Sequence, residues 1–389
     1  MRKIFFTIAI SMLLLFPFTS FAAEKVVAKS KPDISLKLEL ENAIGKGLTW
    51  LAGKQQPGGY WAQAEYPALT ALALTSFQGD PSNFYKNKYE QNIKNGYDYL
   101  VKNAKPDGGI YGKDLANYNT SISMMALLMA NNPSYEPLLK KGRQFIIGLQ
   151  DDFGEKGMGD DPLDGGIGYG GTYKHSDLAN TTFALEALYY TRYLKSDVAN
   201  DLDAKDLNWK AAIQFISRTQ NLKATNDQKW ASDDPANKGG FVYFPADSKA
   251  GEQKLEDGKV ALRSYGSMSY AGLLSFIYAQ VDKGDPRVKG VIDWLSKNYT
   301  LDENPGMGQD GLYYYLHTMA KALSAAGIDT LTTKDGKKIN WRQDLAKKLL
   351  DLQNADGSWV NKNGRWWEKD PHLVTSYATI TLEIVYRGL

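Results

Sequence analysis

Pro57-Gly58-Gly59-Tyr60-Trp61 recurs, with drift, as Asp107-Gly108-Gly109-Ile110-Tyr111, Asp164-Gly165-Gly166-Ile167-Gly168-Tyr169 and Gly239-Gly240-Phe241-Val242-Tyr243. It recurs again as Asp310-Gly311-Leu312-Tyr313 and Asp356-Gly357-Ser358-Trp359. In each, glycine supplies the positive φ that ends a helix, and the aromatic or apolar residue after it folds back on that helix end. Ahead of the turns, apolar residues fall at three- and four-residue steps, as in Ile93, Tyr97 and Leu100 or Ile292, Leu295 and Tyr299, opposite a Lys-rich face. Behind the turns come stretches apolar nearly all round, aligned on Ala73-Leu74, Ala126-Leu127, Ala187-Leu188, Gly272-Leu273, Ala322-Leu323 and Thr381-Leu382. The first kind of helix belongs outside and the second inside. An open stack of such pairs needs polar caps, yet the first and last repeats are as aromatic as the rest. The pattern therefore predicts an all-α, closed (α/α)6 double-layered toroid over residues 36–389. Its long loops are expected around 194–257, where the inner helices are spaced furthest apart.

The remainder of the chain narrows the function classes. Apolar residues make up 43% and charged residues 23% of the 389, an ordinary globular balance. With 46 Lys+Arg against 44 Asp+Glu, neither nucleic acid nor an anionic membrane is called for as main partner. Cysteine is absent, which excludes disulfides, thiolate metal sites and a cysteine nucleophile. Arg2 and Lys3, the apolar run Ile4 to Phe16, and Ser20-Phe21-Ala22 predict a signal peptide over 1–22, cleaved near Ala22. A polar linker over 23–35 follows, and the product is expected to be periplasmic or secreted. No later stretch approaches 18 apolar residues, so no transmembrane segment is expected, while peripheral membrane contact stays open.

Leu149-Gln150 with Asp164-Gly165-Gly166, and Leu352-Gln353-Asn354-Ala355-Asp356-Gly357-Ser358-Trp359, resemble the QW-type repeats of the prenyltransferase/squalene oxidase repeat superfamily. That superfamily includes squalene and oxidosqualene cyclases and protein prenyltransferase β-subunits. The segments Asp177 to Leu188, Tyr265 to Leu273 and Asn304 to Tyr315 are similar to an exported bacterial subgroup of it. The resemblance covers the mature chain and implies an (α/α)6 barrel. The DxDD of acid-initiated cyclases occurs nowhere in the sequence. His317 stands where the zinc-binding His of the prenyltransferases would fall, but Tyr265-Gly266-Ser267 replaces their Asp-x-Cys pair, leaving too few ligands for zinc. Asp160-Asp161-Pro162-Leu163-Asp164 spells the DDxxD of diphosphate–Mg²⁺ sites, although among so many glycines it also reads as a turn. Gly251-Glu252-Gln253 follows Ala250 where a thioester would need cysteine.

Counting back five residues from the aligned pairs gives Ala68, Ser121, Thr182, Ser267, His317 and Ser376, either a polar ring at one mouth or a set of local helix bonds. His317 and Asp177 are the candidate proton donors; His317 reads equally as a satisfied core residue, and Asp177 as an N-cap. Asp370-Pro371 fits an N-cap, with His175 and His372 open. Glu186 and Lys321 pair across the barrel if their register faces inward, and otherwise lie at a helix–helix seam with solvated heads. Tyr265, Tyr270, Tyr314, Tyr377, Trp366 and Trp367 offer aromatic faces, and Arg263 and Asp310 polar contacts, for a substrate. Such faces suit carbocations and pyranose rings alike. The expected ligand is a lipidic or other small molecule, with no cofactor and no metal. The leading reading is a terpene-cyclase-like exported protein that binds or cyclises an isoprenoid or triterpenoid. A polysaccharide lyase or glycosidase, or a non-catalytic toroid, is the alternative.

Overall fold

The computed structural model describes residues 33–171, 175–194, 206–256 and 258–389. The predicted signal peptide and the linker up to residue 32 lie outside them. Among the described residues the helices are α1 (Ile34–Lys54), α2 (Pro67–Gly79), α3 (Phe84–Lys88), α4 (Glu90–Lys102), α5 (Ala116–Met129), α6 (Glu136–Ile147) and α7 (Leu178–Tyr190). They continue as α8 (Trp209–Arg218), α9 (Gly266–Tyr278), α10 (Pro286–Lys297), α11 (Leu312–Ala326), α12 (Trp341–Asp351) and α13 (Pro371–Gly388). No helix among them is long and apolar enough to cross a membrane.

Helices α2, α5, α7, α9, α11 and α13 each pack on the next, and α13 returns to α2, closing the ring. Helices α1, α4, α6, α8, α10 and α12 lie outside it, and the short α3 is an addition between α2 and α4. The inner helices are buried over most of their surface, α9 from Gly266 to Phe276 without interruption, as their unbroken apolar sequence requires. The expected (α/α)6 toroid is thus the observed architecture.

One bonding pattern recurs at the turns and explains the repeat. Gln55 Nε2 donates both to Gly59 O (2.9 Å) in its own turn and to Asn92 O (2.8 Å) on the following outer helix. Gln150 does the same with Gly165 and Asn208, and Gln220 with Gly239 and Arg287. Gln353 completes the circle, donating to Gly357 O (3.0 Å) and to Ala43 O (2.9 Å) of α1. Two residues beyond the positive-φ glycine, Trp61, Ile110, Ile167, Phe241 and Trp359 are fully buried. Their amides donate to a Thr or Ser of the next inner helix, as Trp61 N does to Thr70 Oγ1 (3.0 Å) and Trp359 N to Thr375 Oγ1 (3.0 Å).

Three local expectations are corrected. Helix α1 opens at Ile34, capped by Asp33, so the end of the predicted linker already belongs to the toroid. The 194–257 region contains the outer helix α8 as well as loops, because Asn208 caps an amphipathic ten-residue stretch there. Gly311 (φ 65°) is the N-cap residue of α11 and not the middle of a helix-to-helix turn. Short hairpins add β1 (Glu252–Lys254) with β2 (Val260–Leu262), and β3 (Leu331–Thr332) with β4 (Lys338–Ile339), both antiparallel.

Candidate functional site

Every inner helix follows an outer one by a turn, so all six inner helices begin at the same face of the ring. Around the first turns of five of them, α5, α7, α9, α11 and α13, lies a cavity of about 400 Å³, within the range of small-molecule sites. Leu115 and Tyr118 line it from the start of α5, Asn180 and Phe183 from α7, Ser267 and Met268 from α9, Tyr314 from α11, and Leu373 and Tyr377 from α13. Tyr169 and Tyr243 enter from the third and fourth turns, and Tyr265, Lys249, Trp366, Trp367 and Glu368 complete the wall.

The two tryptophans form its rim. Trp366 and Trp367 are 42% and 40% exposed, and both sit at positive φ (52° and 66°). Non-glycine residues held there cost on the order of 1–3 kcal/mol each and persist only when the surroundings fix them. Those surroundings are visible. Asp310 accepts from Arg365 Nη1 (2.6 Å) and Asn363 Nδ2 (2.6 Å), Arg365 stacks over Trp366 at 4.5 Å, and Trp367 meets Tyr66 edge-on at 4.5 Å.

Two carboxyl groups serve this mouth from behind. Glu368, 1% exposed, accepts from Tyr314 N (2.8 Å), Tyr313 N (3.2 Å) and Asn361 Nδ2 (2.7 Å), capping α11 from 54 residues away in sequence. Burial raises its pKa, against those hydrogen bonds. Asp177 is the N-cap of α7, accepting from Asn180 N (2.9 Å) and Asn180 Nδ2 (2.7 Å), with Tyr243 also hydrogen-bonded to it. Complete burial pushes it up to about 6 despite these donors. Burial likewise lifts the Tyr118 phenol to about 12 and those of Tyr243, Tyr265, Tyr314 and Tyr377 further, so each remains a hydroxyl donor.

The Asp177 shift has a sign that can be measured. A carboxyl whose pKa is raised by folding binds its proton more tightly in the native state. Its stabilisation is therefore complete below about pH 4 and lost as pH rises through about 6. At ~1.4 kcal/mol per pH unit the loss is about 3 kcal/mol. Asp177→Asn keeps an N-cap acceptor and removes the titration. The stability difference between wild type and variant, from urea unfolding, is expected to shrink by about that amount between pH 4 and pH 7. A difference that does not change with pH would mean that Asp177 is ionised throughout.

His317 lies elsewhere. It sits on the second turn of α11, 5% exposed, stacked on Tyr377 at 4.9 Å, with Thr381 Oγ1 3.4 Å from Nδ1. Burial, with the Lys321 charge adding to it, lowers its pKa well below the usual value, so the ring is neutral at pH 7. It lines a second, smaller chamber formed by the far ends of the inner helices. Phe183 and Tyr377 border both spaces and form the partition between them. Asp177 and His317 are therefore not brought together.

Other expected site residues divide. Tyr265, Tyr314, Trp366 and Trp367 line the mouth. Tyr270 is fully buried against Tyr315 at 5.6 Å and does not line it. Arg263 is exposed on the β2 side of the hairpin, donating to Glu252 O (3.0 Å). Asp310 acts through Arg365 and Asn363, on the tryptophan turn. The polar ring dissolves into local bonds. Thr182 donates to Leu178 O (2.7 Å), Ser376 to His372 O (2.8 Å) and Ser121 to Asn117 Oδ1 (2.9 Å). Ser267 lines the mouth while accepting from Asn304 Nδ2 (3.1 Å). Asp370 is an N-cap; its partner His372 packs on Trp50 at 5.2 Å, and His175 on Phe244 at 5.0 Å. The acids at 160–164 accept turn amides, Asp164 from Phe153 and Asp161, Asp161 from Leu163, and Asp160 from Glu155. Glu186 and Lys321 do pair, at 2.5 Å. Sequence reasoning missed Glu368, Lys249, Tyr118, Tyr169 and Tyr243. Tyr169 and Tyr243 share a signal, standing four residues after the turn glycine.

No family model matches the chain, and no curated protein is similar to it in sequence. Solved structures are similar in fold. A variant of the type II terpene cyclase MstE from Scytonema, in complex with its product merosterolic acid A, is 12% identical, with a TM-score of 0.54 over 92% of this chain and 100% of that one. A GH76 α-mannanase from Bacteroides thetaiotaomicron is 12% identical (TM-score 0.55, 91% and 98% covered). Protein geranylgeranyltransferase-I from Candida albicans is 15% identical (TM-score 0.53, 88% and 91% covered). At these identities the likeness is one of fold, the (α/α)6 toroid.

Proposed function

We propose that the chain binds an isoprenoid or triterpenoid lipid in the mouth cavity. The observation that carries this reading is the wall itself, in which nine aromatic rings surround one carboxylate, Glu368, already committed to three hydrogen bonds. Stacked π-faces hold unsaturated hydrocarbon and stabilise cationic carbon. Glycoside hydrolysis requires two acids flanking the bond, about 5–10 Å apart. Among the described lining residues no second acid faces Glu368. The terpene cyclase and geranylgeranyltransferase of like fold, named for prenyl chemistry, are consistent with the same ligand class. Acid-initiated cyclisation is the reaction we assign to such a pocket, with Asp177 as proton source through the Tyr243 hydroxyl. Signal-directed export, with cleavage near Ala22, belongs to the same proposal and is checked by N-terminal sequencing of the mature protein.

The half-exposed tryptophans support a second reading, a saccharide stacked on the rim, and a toroid of like fold is named as an α-mannanase. Fluorescence titration separates the two. Geranylgeraniol is expected to quench tryptophan emission saturably, and Trp367→Ala, at an exposed position, to weaken binding about tenfold with little change in stability. Quenching by manno-oligosaccharides and none by geranylgeraniol would favour the saccharide reading. Product formation from a polyprenyl substrate, lost in Asp177→Asn, tests the cyclisation step.

A further inference from the structure

The chamber beyond the Phe183–Tyr377 partition is chemically unlike the mouth. Its volume is about 110 Å³, and Ile122, Met125, Ile380 and Ile384 give it apolar walls. Into these walls are set Glu186, Lys321, His317, Glu383 and Arg387. Glu186 and Lys321 neutralise each other across the lumen. Glu383 is 1% exposed, and its Oε1 has no hydrogen-bond partner among the described residues. Its other oxygen rests on Gly79, where a Cβ would fall 1.7 Å from Oε2, so the backbone leaves room for this carboxyl. Arg387 donates to Gly79 O (2.7 Å) beside it and stands at the solvent side, where the chamber meets the groove lined by Met125, Met129 and Tyr190.

The geometry points to a second ligand site, separate from the mouth, for a short amphipathic monocarboxylate. Its hydrocarbon body would lie among Met125, Ile122 and Ile380, with its carboxylate between Arg387 and Glu383 and facing Lys321. A cavity of about 150 Å³ accepts the six carbons of benzene, so this chamber, about three-quarters that size, takes a hydrocarbon body of about four carbons, with the carboxylate at its Arg387 end. The charge balance selects the anion. Burial holds Glu383 well above the ordinary carboxyl range and His317 well below the ordinary imidazole range, so both environments disfavour the charged forms. Asp80, behind Glu383, is occupied by the amides of Ser82, Tyr85 and Lys86. Among the charges that line the chamber, Glu186 is matched by Lys321, and Arg387 is the cation at its solvent end. A buried acceptor or donor left unpaired is costly, and a ligand oxygen on Glu383 would relieve it.

The test uses the mature protein with ¹³C-methyl methionine and the probes pentanoate, pentylamine and pentanol. Pentanoate is expected to shift the Met125 and Met129 methyl signals saturably. Arg387→Gln, on an exposed terminal turn, should weaken it at least about tenfold at unchanged melting temperature. Trp367→Ala should leave pentanoate binding intact, whatever it does to geranylgeraniol, so failure at the mouth and failure here are distinguishable. Stronger binding of pentylamine, equal binding of pentanol, no saturable shift with pentanoate, or equal loss in Trp367→Ala would each overturn the assignment.

Discussion

Gly357→Ala is expected to destabilise the toroid by about 3 kcal/mol, from an Ala forced to positive φ and a clash that cannot relax. Gly357 has φ 93°, and a Cβ there would stand 2.7 Å from the carbonyl oxygen of Lys46 on α1. This is the seam at which the last turn meets the first outer helix. Gln353 crosses it with its bonds to Gly357 O and Ala43 O. Displacing the turn therefore loosens α1, the outer helix that covers the seam where α13 meets α2. Urea unfolding would report the loss, and amide exchange should quicken first in α1 and α12. Gly53→Ala is the control, because Gly53 is exposed in α1 and an added Cβ meets nothing within 4 Å. In a helix that change is stabilising by up to about 1 kcal/mol. Equal effects from the two substitutions would remove the seam as an explanation.

That seam also shows why the fold was legible. Turn glycines with a buried residue two positions later recur five times and the small-residue–Leu pairs six, all set by local backbone geometry, so a single sequence displays them. The caps at Asp177 and Asp370 were readable for the same reason. The mouth was less so. Counting five residues back from the aligned pairs assumes that inner helices begin in register. Yet α9 begins one residue before Ser267, while α11 begins five before His317, and that offset of about a turn puts His317 in the lower chamber. Tyr169 and Tyr243 looked like more packing aromatics. Only the position relative to the positive-φ glycine distinguishes those that fold under the helix from those that face the lumen. Glu368 caps a helix from the next repeat, a contact between sequence-distant segments that no local pattern announces. Tyr270 and Arg263 fail oppositely, one swallowed by the α9–α11 interface and the other carried outward by a hairpin.

Lys321→Met is expected to be more damaging than Gly357→Ala, costing about 3–5 kcal/mol, the range for removing one partner of a buried ion pair. Glu186 and Lys321 come from α7 and α11, which are not ring neighbours but stand on either side of α9, so their 2.5 Å contact crosses the lumen. The side chains are 10% and 21% exposed, too little for water to screen a stranded charge. Without Lys321, Glu186 faces Tyr190 and Tyr278, whose phenols its charge already disfavours from ionising. Removing both charges with Glu186→Leu and Lys321→Met is a different matter. Desolvating two ions roughly cancels their attraction, so the double variant should regain most of the loss, within about 1 kcal/mol of wild type. A double-mutant cycle by urea unfolding measures this directly. Additive losses would show that the two side chains act independently. Full recovery would mean that the pair adds little to stability over a hydrophobic filling, and that its consequence lies in the charge it presents to the lower chamber. There the same double variant, folded but lacking Lys321, is expected to bind pentanoate more weakly than wild type.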